Sequence, residues 1–189
     1  MRKTKIAGIG YYVPERVVTN KDLEKFMDTS DEWIVARTGI HERHWVDLGV
    51  GTSDLGVKAS EKALEMAKVL AKDIDLVIFA TLTSDYHFPG SAVQIQGKMG
   101  MDTIGAFDIK AACSAFVYGL SIGDQFVKTG QADNVLVIGA EIQSTGLNLS
   151  TEGRDMAVLF GDGAGAAVLQ ASNNNSEILS THIHSQGKY

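Results

Sequence analysis

The sequence predicts an α/β fold in which a mostly parallel mixed sheet is covered by helices. Three observations carry this. The runs 75–81 (DLVIFAT) and 134–140 (NVLVIGA) are continuously apolar, as in strands buried on both faces. The stretch 53–71 ahead of them has helical periodicity, through Leu55, Val57, Ala59, Ala63, Leu64, Ala67 and Leu70. Twenty glycines and only two prolines fit tight packing of small residues in a compact domain.

Taken in order, 5–12 (KIAGIGYY) reads as the first strand. Residues 20–26 form a short helix, with Asn20 as its cap. Thr29-Ser30-Asp31-Glu32 fits a capping box, Thr29 at the N-cap and Glu32 at N3, ahead of Trp33 and Ile34. The helix 53–71 leads to the strand 75–81, and 91–99 is helical. The strand 105–109 (GAFDI) runs into a helix over 114–128, which leads to the strand 134–140. Strands over 164–170 and 177–184 complete the pattern, joined by a turn at 173–176 (NNNS).

The 189 residues suit one domain with a real hydrophobic core. Seventeen basic against 23 acidic residues give a formal charge of −6, which argues against non-specific nucleic-acid binding. No stretch approaches the ~20 apolar residues of a membrane span. The N-terminus has no signal-peptide pattern. A single cysteine excludes an internal disulfide framework and suits a reducing cytoplasm.

That cysteine, Cys113, stands in Ala111-Ala112-Cys113-Ser114-Ala115, between a strand and a long helix. A helix N-terminus presents unpaired N–H groups and a dipole that favour negative charge, hence a nucleophilic thiolate. A lone cysteine is equally a small buried hydrophobe, and the segment alone leaves both readings open. Trp33 and Arg37 lie four apart on one helix face. They suit a core tryptophan beside a solvated arginine, or an aromatic plate and guanidinium for a nucleotide. Gly161-Asp162-Gly163-Ala164-Gly165 is followed by strand-like residues rather than a helix. That points to a structural turn, not a phosphate loop. His41 and His44 are three apart, but no cysteine or carboxylate pair completes a metal set. His182 and His184 read as structural.

Several of these segments together resemble the β-ketoacyl-acyl carrier protein synthase III family of the thiolase superfold. They are Asp28-Thr29-Ser30-Asp31-Glu32-Trp33-Ile34, Arg37-Thr38-Gly39-Ile40 with Arg43, Phe88-Pro89, Phe107-Asp108, Ala111-Ala112-Cys113-Ser114, Tyr118-Gly119-Leu120 and Phe160-Gly161-Asp162-Gly163-Ala164-Gly165-Ala166. They keep the family's order and cover essentially the whole chain.

The resemblance implies a thiolase-like fold, with 1–189 as the N-terminal one of two similar halves. It implies that Cys113 takes an acyl group from acyl-coenzyme A. The carbanion released when malonyl-acyl carrier protein loses carbon dioxide then attacks the acyl-enzyme. The Cys113 N–H would form part of an oxyanion hole. Trp33, Arg37 and Arg154 match positions that grip coenzyme A, with Thr29 beside the same entrance. Phe88 matches a residue that closes the acyl pocket across a homodimer interface. No cofactor is implied; the coenzyme A thioester is a substrate. Ala115 stands where the family usually has glycine. The family's catalytic histidine and asparagine fall beyond position 189. The chain is therefore expected to be a fragment or one subunit of a split synthase, with its complementary half on the same precursor or a second chain. The alternative is a non-catalytic thiolase-like module that binds acyl-coenzyme A or a partner. The survival of Cys113 and the coenzyme-binding residues favours the catalytic readings.

Overall fold

The computed structural model describes residues 2–173 and 175–188. One five-stranded sheet organises the chain, in the order β1 (Lys3–Tyr12), β7 (Asp162–Ser172), β6 (Asn134–Ile142), β4 (Leu76–Ala80), β5 (Gly105–Ile109). β4 pairs in parallel with both β5 and β6, whereas β7 is antiparallel to both β6 and β1. Four strands therefore point one way and only β7 is reversed. A two-stranded ribbon, β2 (Arg16–Thr19) with β3 (Glu42–Trp45), stands apart from this sheet. It is too short and too polar to announce itself in the sequence.

Strand alternation builds two apolar layers, one on each face of the sheet. Val77 and Phe79 of β4, Leu136 and Ile138 of β6, and Ala166 and Val168 of β7 pack against α3 (Thr52–Ala67) and α4 (Ala92–Lys98). Leu76 and Ile78, Val135 and Val137, and Leu169 face the opposite way, against α5 (Ala115–Thr129). All five residues of β4 are buried, which explains its unbroken apolar run. The helix α3 lies so close to β1 that a Cβ at Gly8 or Gly10 would collide with the carbonyl oxygen of Ala63 or Ala59. A third cluster joins α1 (Asn20–Leu23), α2 (Asp31–Thr38), the β2–β3 ribbon and α6 (Arg154–Ala157) through Leu23, Met27, Ile34, Trp45 and Ala157.

Several local expectations shift. The cap of α1 is Thr19, in a capping box with Asp22, and Asn20 is the first helical residue. The cap of α2 is Ser30, whose hydroxyl accepts from the Trp33 N–H at 3.1 Å. Thr29 lies one residue outside the helix. The glycine-rich segment expected as a turn is already strand from Asp162, because Gly163 and Gly165 pair with Glu141 and Gly139 of β6. The strand expected at 177–184 does not form. The Ile178 N–H donates to the Thr4 carbonyl at 2.7 Å, but the segment then leaves the sheet and lies along α5. Ser121 Oγ there meets Thr181 Oγ1 at 3.1 Å, and Tyr118 Oη donates to the His184 carbonyl at 3.4 Å. Without a ladder partner, alternation alone makes no strand. The turn expected at 173–176 contains Asn174, which lies outside the described residues. Among the described residues, no helix is long and apolar enough to cross a membrane.

Candidate active site

Cys113 lies in a 3-10 turn, Ala112–Ser114, that carries the chain from the end of β5 into α5. The preceding Ala112 has φ 46, a left-handed conformation that L side chains rarely adopt. Such backbone is kept where the surrounding structure enforces it, often at functional sites. Here the Ser114 N–H and hydroxyl both bond the Ala111 carbonyl, at 3.2 and 2.7 Å, and hold the turn closed. The result is an exposed thiol just ahead of a fifteen-residue helix.

In register, Ala80 of β4 stands between Ile109 of β5 and Gly139 of β6. The thiol therefore sits just past the carboxyl ends of three parallel strands, where open α/β sheets leave a crevice. A cavity of about 240 Å³ opens there. Cys113 lines it together with Ala80, Leu82, Phe116, Ala140 and Phe160, with Glu141 and Gln143 at its polar side. No histidine is among the described residues lining it.

Glu141 escaped the sequence reading. Its carboxylate accepts from the Leu82 N–H at 2.7 Å, the Thr83 N–H at 3.1 Å and the Thr83 hydroxyl at 2.5 Å. It thereby pins the loop that brings Leu82 to the cavity. Asp108 and Asp85 anchor the same loop further along. Asp108 accepts from the Ser91 and Ala92 N–H groups at the start of α4, and Asp85 accepts from the Ser53 N–H of α3. A signal was present: Asp108 and Glu141 are acids within or ending otherwise apolar strands, where a charge is costly unless fully hydrogen-bonded.

The helix α2 presents Trp33, and two guanidinium groups lie over its ring. Arg37 is 4.2 Å from the ring centroid and Arg154, from α6, is 4.3 Å. The structure thus brings together three residues from two distant segments. Arg154 Nη1 donates to the Asp28 carbonyl at 2.7 Å, and the Asp28 N–H donates to Thr151 Oγ1 at 2.9 Å. The hydroxyls of Thr29 and Ser150, next to that pair in sequence, are buried without a hydrogen-bond partner among the described residues. Beneath this cluster lies Arg43, also missed as a site element. It is buried, and its guanidinium donates to the carbonyls of Val18 and Val158 and to Asn20 Oδ1. Burial pushes its pKa below the usual arginine value. It ties the ribbon to the 158–161 segment, whose Phe160 and Gly161 wall the Cys113 cavity.

Phe88 is not brought into the cavity; it stands 89% exposed on the loop after β4. His182 and His184 are exposed on the irregular segment over α5. His44 is engaged by the Pro14 carbonyl.

Residues 107–187 match the 3-Oxoacyl-[acyl-carrier-protein (ACP)] synthase III family. The chain is 51% identical over 186 residues to a beta-ketoacyl-[acyl-carrier-protein] synthase III of Serratia proteamaculans (strain 568), covering 98% of this chain and 58% of that protein. A protein of the same description from Xanthomonas campestris pv. campestris (strain 8004) is 51% identical over 184 residues, 97% of this chain and 56% of the relative. The solved 3-oxoacyl-[acyl-carrier-protein] synthase III from Aquifex aeolicus VF5 superposes with a TM-score of 0.93 at 46% identity. The match covers 97% of this chain and 59% of that one. The priming beta-ketosynthase of the R1128 polyketide biosynthetic pathway gives 0.87 at 39% identity, over 92% and 51%. The chain thus spans a little over half the length of the relatives it matches, and its fold is thiolase-like. Identity near one half, sustained along nearly all of this chain and matched by its fold, places it in the β-ketoacyl-acyl carrier protein synthase III family.

Proposed function

We propose that this chain carries the nucleophile-bearing half of a synthase that starts fatty-acid chains. The reaction is a decarboxylative Claisen condensation of a short acyl-coenzyme A with malonyl-acyl carrier protein. The observation that carries the reading is the exposed Cys113 thiol, at the mouth of an apolar cavity and the start of α5. The Cys113 sulfur attacks the thioester carbonyl, and coenzyme A leaves as its thiol. The thioester formed on the protein stays reactive toward carbon nucleophiles. Malonyl-acyl carrier protein then loses carbon dioxide. The resulting carbanion attacks the acyl carbon, and the Cys113 thiolate is expelled. The Cys113 N–H supplies one oxyanion donor. Trp33, Arg37 and Arg154, with Thr29 beside them, receive the nucleotide end of coenzyme A as a substrate; no separate cofactor takes part. The complementary half supplies the groups that stabilise the enolate. The working assembly is a homodimer of completed units, with Phe88 at its two-fold interface.

The test is acylation by acetyl-coenzyme A, followed by intact mass with the complementary half present. One acetyl group is expected on Cys113 and none on Cys113→Ser, because a serine hydroxyl without a strong base is a far poorer nucleophile. Equal acylation of the serine variant would overturn the assignment.

A further inference from the structure

The three residues of the Trp33 stack come from two short helices far apart in sequence. Trp33 and Arg37 belong to α2, of eight residues, and Arg154 to α6, of four. Helices this short take their position from tertiary contacts rather than from their own stability. Apolar packing brings Ile34 of α2 and Ala157 of α6 into one cluster, but such packing is not directional. Arg154 itself donates to the Asp28 carbonyl ahead of α2. A second, directional route between the helices runs through Arg43, which is buried. Its Nη2 donates to Asn20 Oδ1 at 2.8 Å and to the Val158 carbonyl at 3.2 Å. Val158 closes α6, and its own N–H donates to the Arg154 carbonyl at 3.2 Å. The Asn20 amide then reaches both ends of α2. Its Nδ2 donates at 2.8 Å to Oδ1 of Asp31, the first residue of that helix, and at 2.8 Å to the carbonyl of Ile40, just past its end.

We propose that Arg43 is a positioning residue for the coenzyme A platform: together with Asn20 it clamps α6 to α2 and so sets Arg154 over the Trp33 ring. This rests on the reading of Trp33, Arg37 and Arg154 as that platform. The guanidinium fork suits the role. Two terminal nitrogens held in one plane reach acceptors on three segments, at Val18, Asn20 and Val158. A lysine keeps the charge but offers a single nitrogen, so it does not reproduce the fork. The clamp acts on Arg154 alone. Arg37 stands one turn beyond Trp33 on the same helix, bonded to the Trp33 carbonyl at 3.2 Å, and keeps its stack wherever α6 lies.

That difference supplies the test. Dissociation constants for coenzyme A are measured by isothermal titration, with the complementary half present, for Arg43→Lys in three backgrounds: the parent, Arg154→Ala and Arg37→Ala. In the parent, Arg43→Lys should weaken binding about fivefold, the size of one stacked cation. With Arg154 already removed it should cost less than about twofold, because the contact it positions is gone. In Arg37→Ala it should cost about fivefold again. Asn20→Ala cuts the clamp on the α2 side without touching the buried charge. It should repeat the pattern, and it serves where Arg43→Lys does not fold. No loss in the parent, or an equal loss in both backgrounds, would overturn the clamp, since general destabilisation does not single out Arg154. Hydrogen exchange without ligand gives a second readout. Residues 31–38 and 154–158 should exchange faster in the clamp variants, but not in Gly10→Ala, which disturbs β1 and α3 instead. Unchanged exchange in both segments would also overturn the clamp. If exchange rises as stated while coenzyme A binds none of the proteins, the clamp stands and the coenzyme A reading falls.

Discussion

Trp33 carries more than one duty at the residue scale. Its ring is flanked by Arg37 and Arg154 at little more than 4 Å, so on the proposed reading a nucleotide base would meet a ring held between cations. Removing the ring removes the platform and frees both guanidinium groups from their stack. Contacts of this class contribute about 1–2 kcal/mol each, so Trp33→Ala should weaken coenzyme A binding by about fivefold to thirtyfold. Isothermal titration checks this. An unchanged dissociation constant would reduce Trp33 to a packing residue of the cluster around Leu23 and Ile34. Both readings of this tryptophan were open in the sequence. The partner that favours one of them, Arg154, lies 121 positions away, a separation no local pattern bridges.

At the element scale, two small features control how the layers meet. The glycines of β1 let α3 rest on the strand backbone. Gly10→Ala should lower stability by about 1–3 kcal/mol, seen as a Tm lower by several degrees; an unchanged Tm would show that α3 can move away freely. The capping box of α1 predicts a pH signature. The hydrogen bond from Lys25, followed by those from the Thr19 hydroxyl and N–H, holds the Asp22 carboxyl well below the usual carboxylate range. The folded state therefore binds this proton less readily than the unfolded chain. The stabilisation is complete above the ordinary aspartate value of about 3.9 and is lost as pH falls toward the folded value. Asp22→Asn should lower Tm at pH 7, and its difference from the parent should shrink as pH drops below about 4. A difference independent of pH would assign the effect to helix propensity rather than charge.

At the scale of the whole molecule, α5 is half enclosed. Its inner face packs on the sheet through Phe116, Leu120 and Val127, while Val117 remains 48% exposed. The segment after β7 covers only part of the outer side, and leaves Leu179 and Ile183 exposed. Phe88 adds a large apolar group in the open. Together these surfaces suit further chain packing against them. Residues 1–189 alone should therefore self-associate in light scattering. They should also lack condensation with malonyl-acyl carrier protein, since one missing preorganised donor typically costs about 100- to 1,000-fold in rate. A monomer with full condensing activity would overturn both. In the completed synthase, Phe88→Ala should weaken the dimer or alter acyl-chain preference, read by sedimentation velocity and competition between acyl-coenzyme A substrates. No change in either would remove Phe88 from the interface.

The sequence by itself determined what depends on near neighbours. Unbroken apolar runs identified β4 and β6, since strands buried on both faces need no polar side. Helical spacing identified α3, and the strand-to-helix junction placed Cys113 at the start of α5. Only the tertiary structure decided what depends on distant partners. The segment 177–184 reads as a strand, yet after one hydrogen bond to the edge strand β1 at Thr4 it docks on α5, because no ladder continues there. Asp108, Glu141 and Arg43 look like isolated charges in the sequence. In the fold each is engaged by backbone groups from other segments, and together they brace the segments around Cys113.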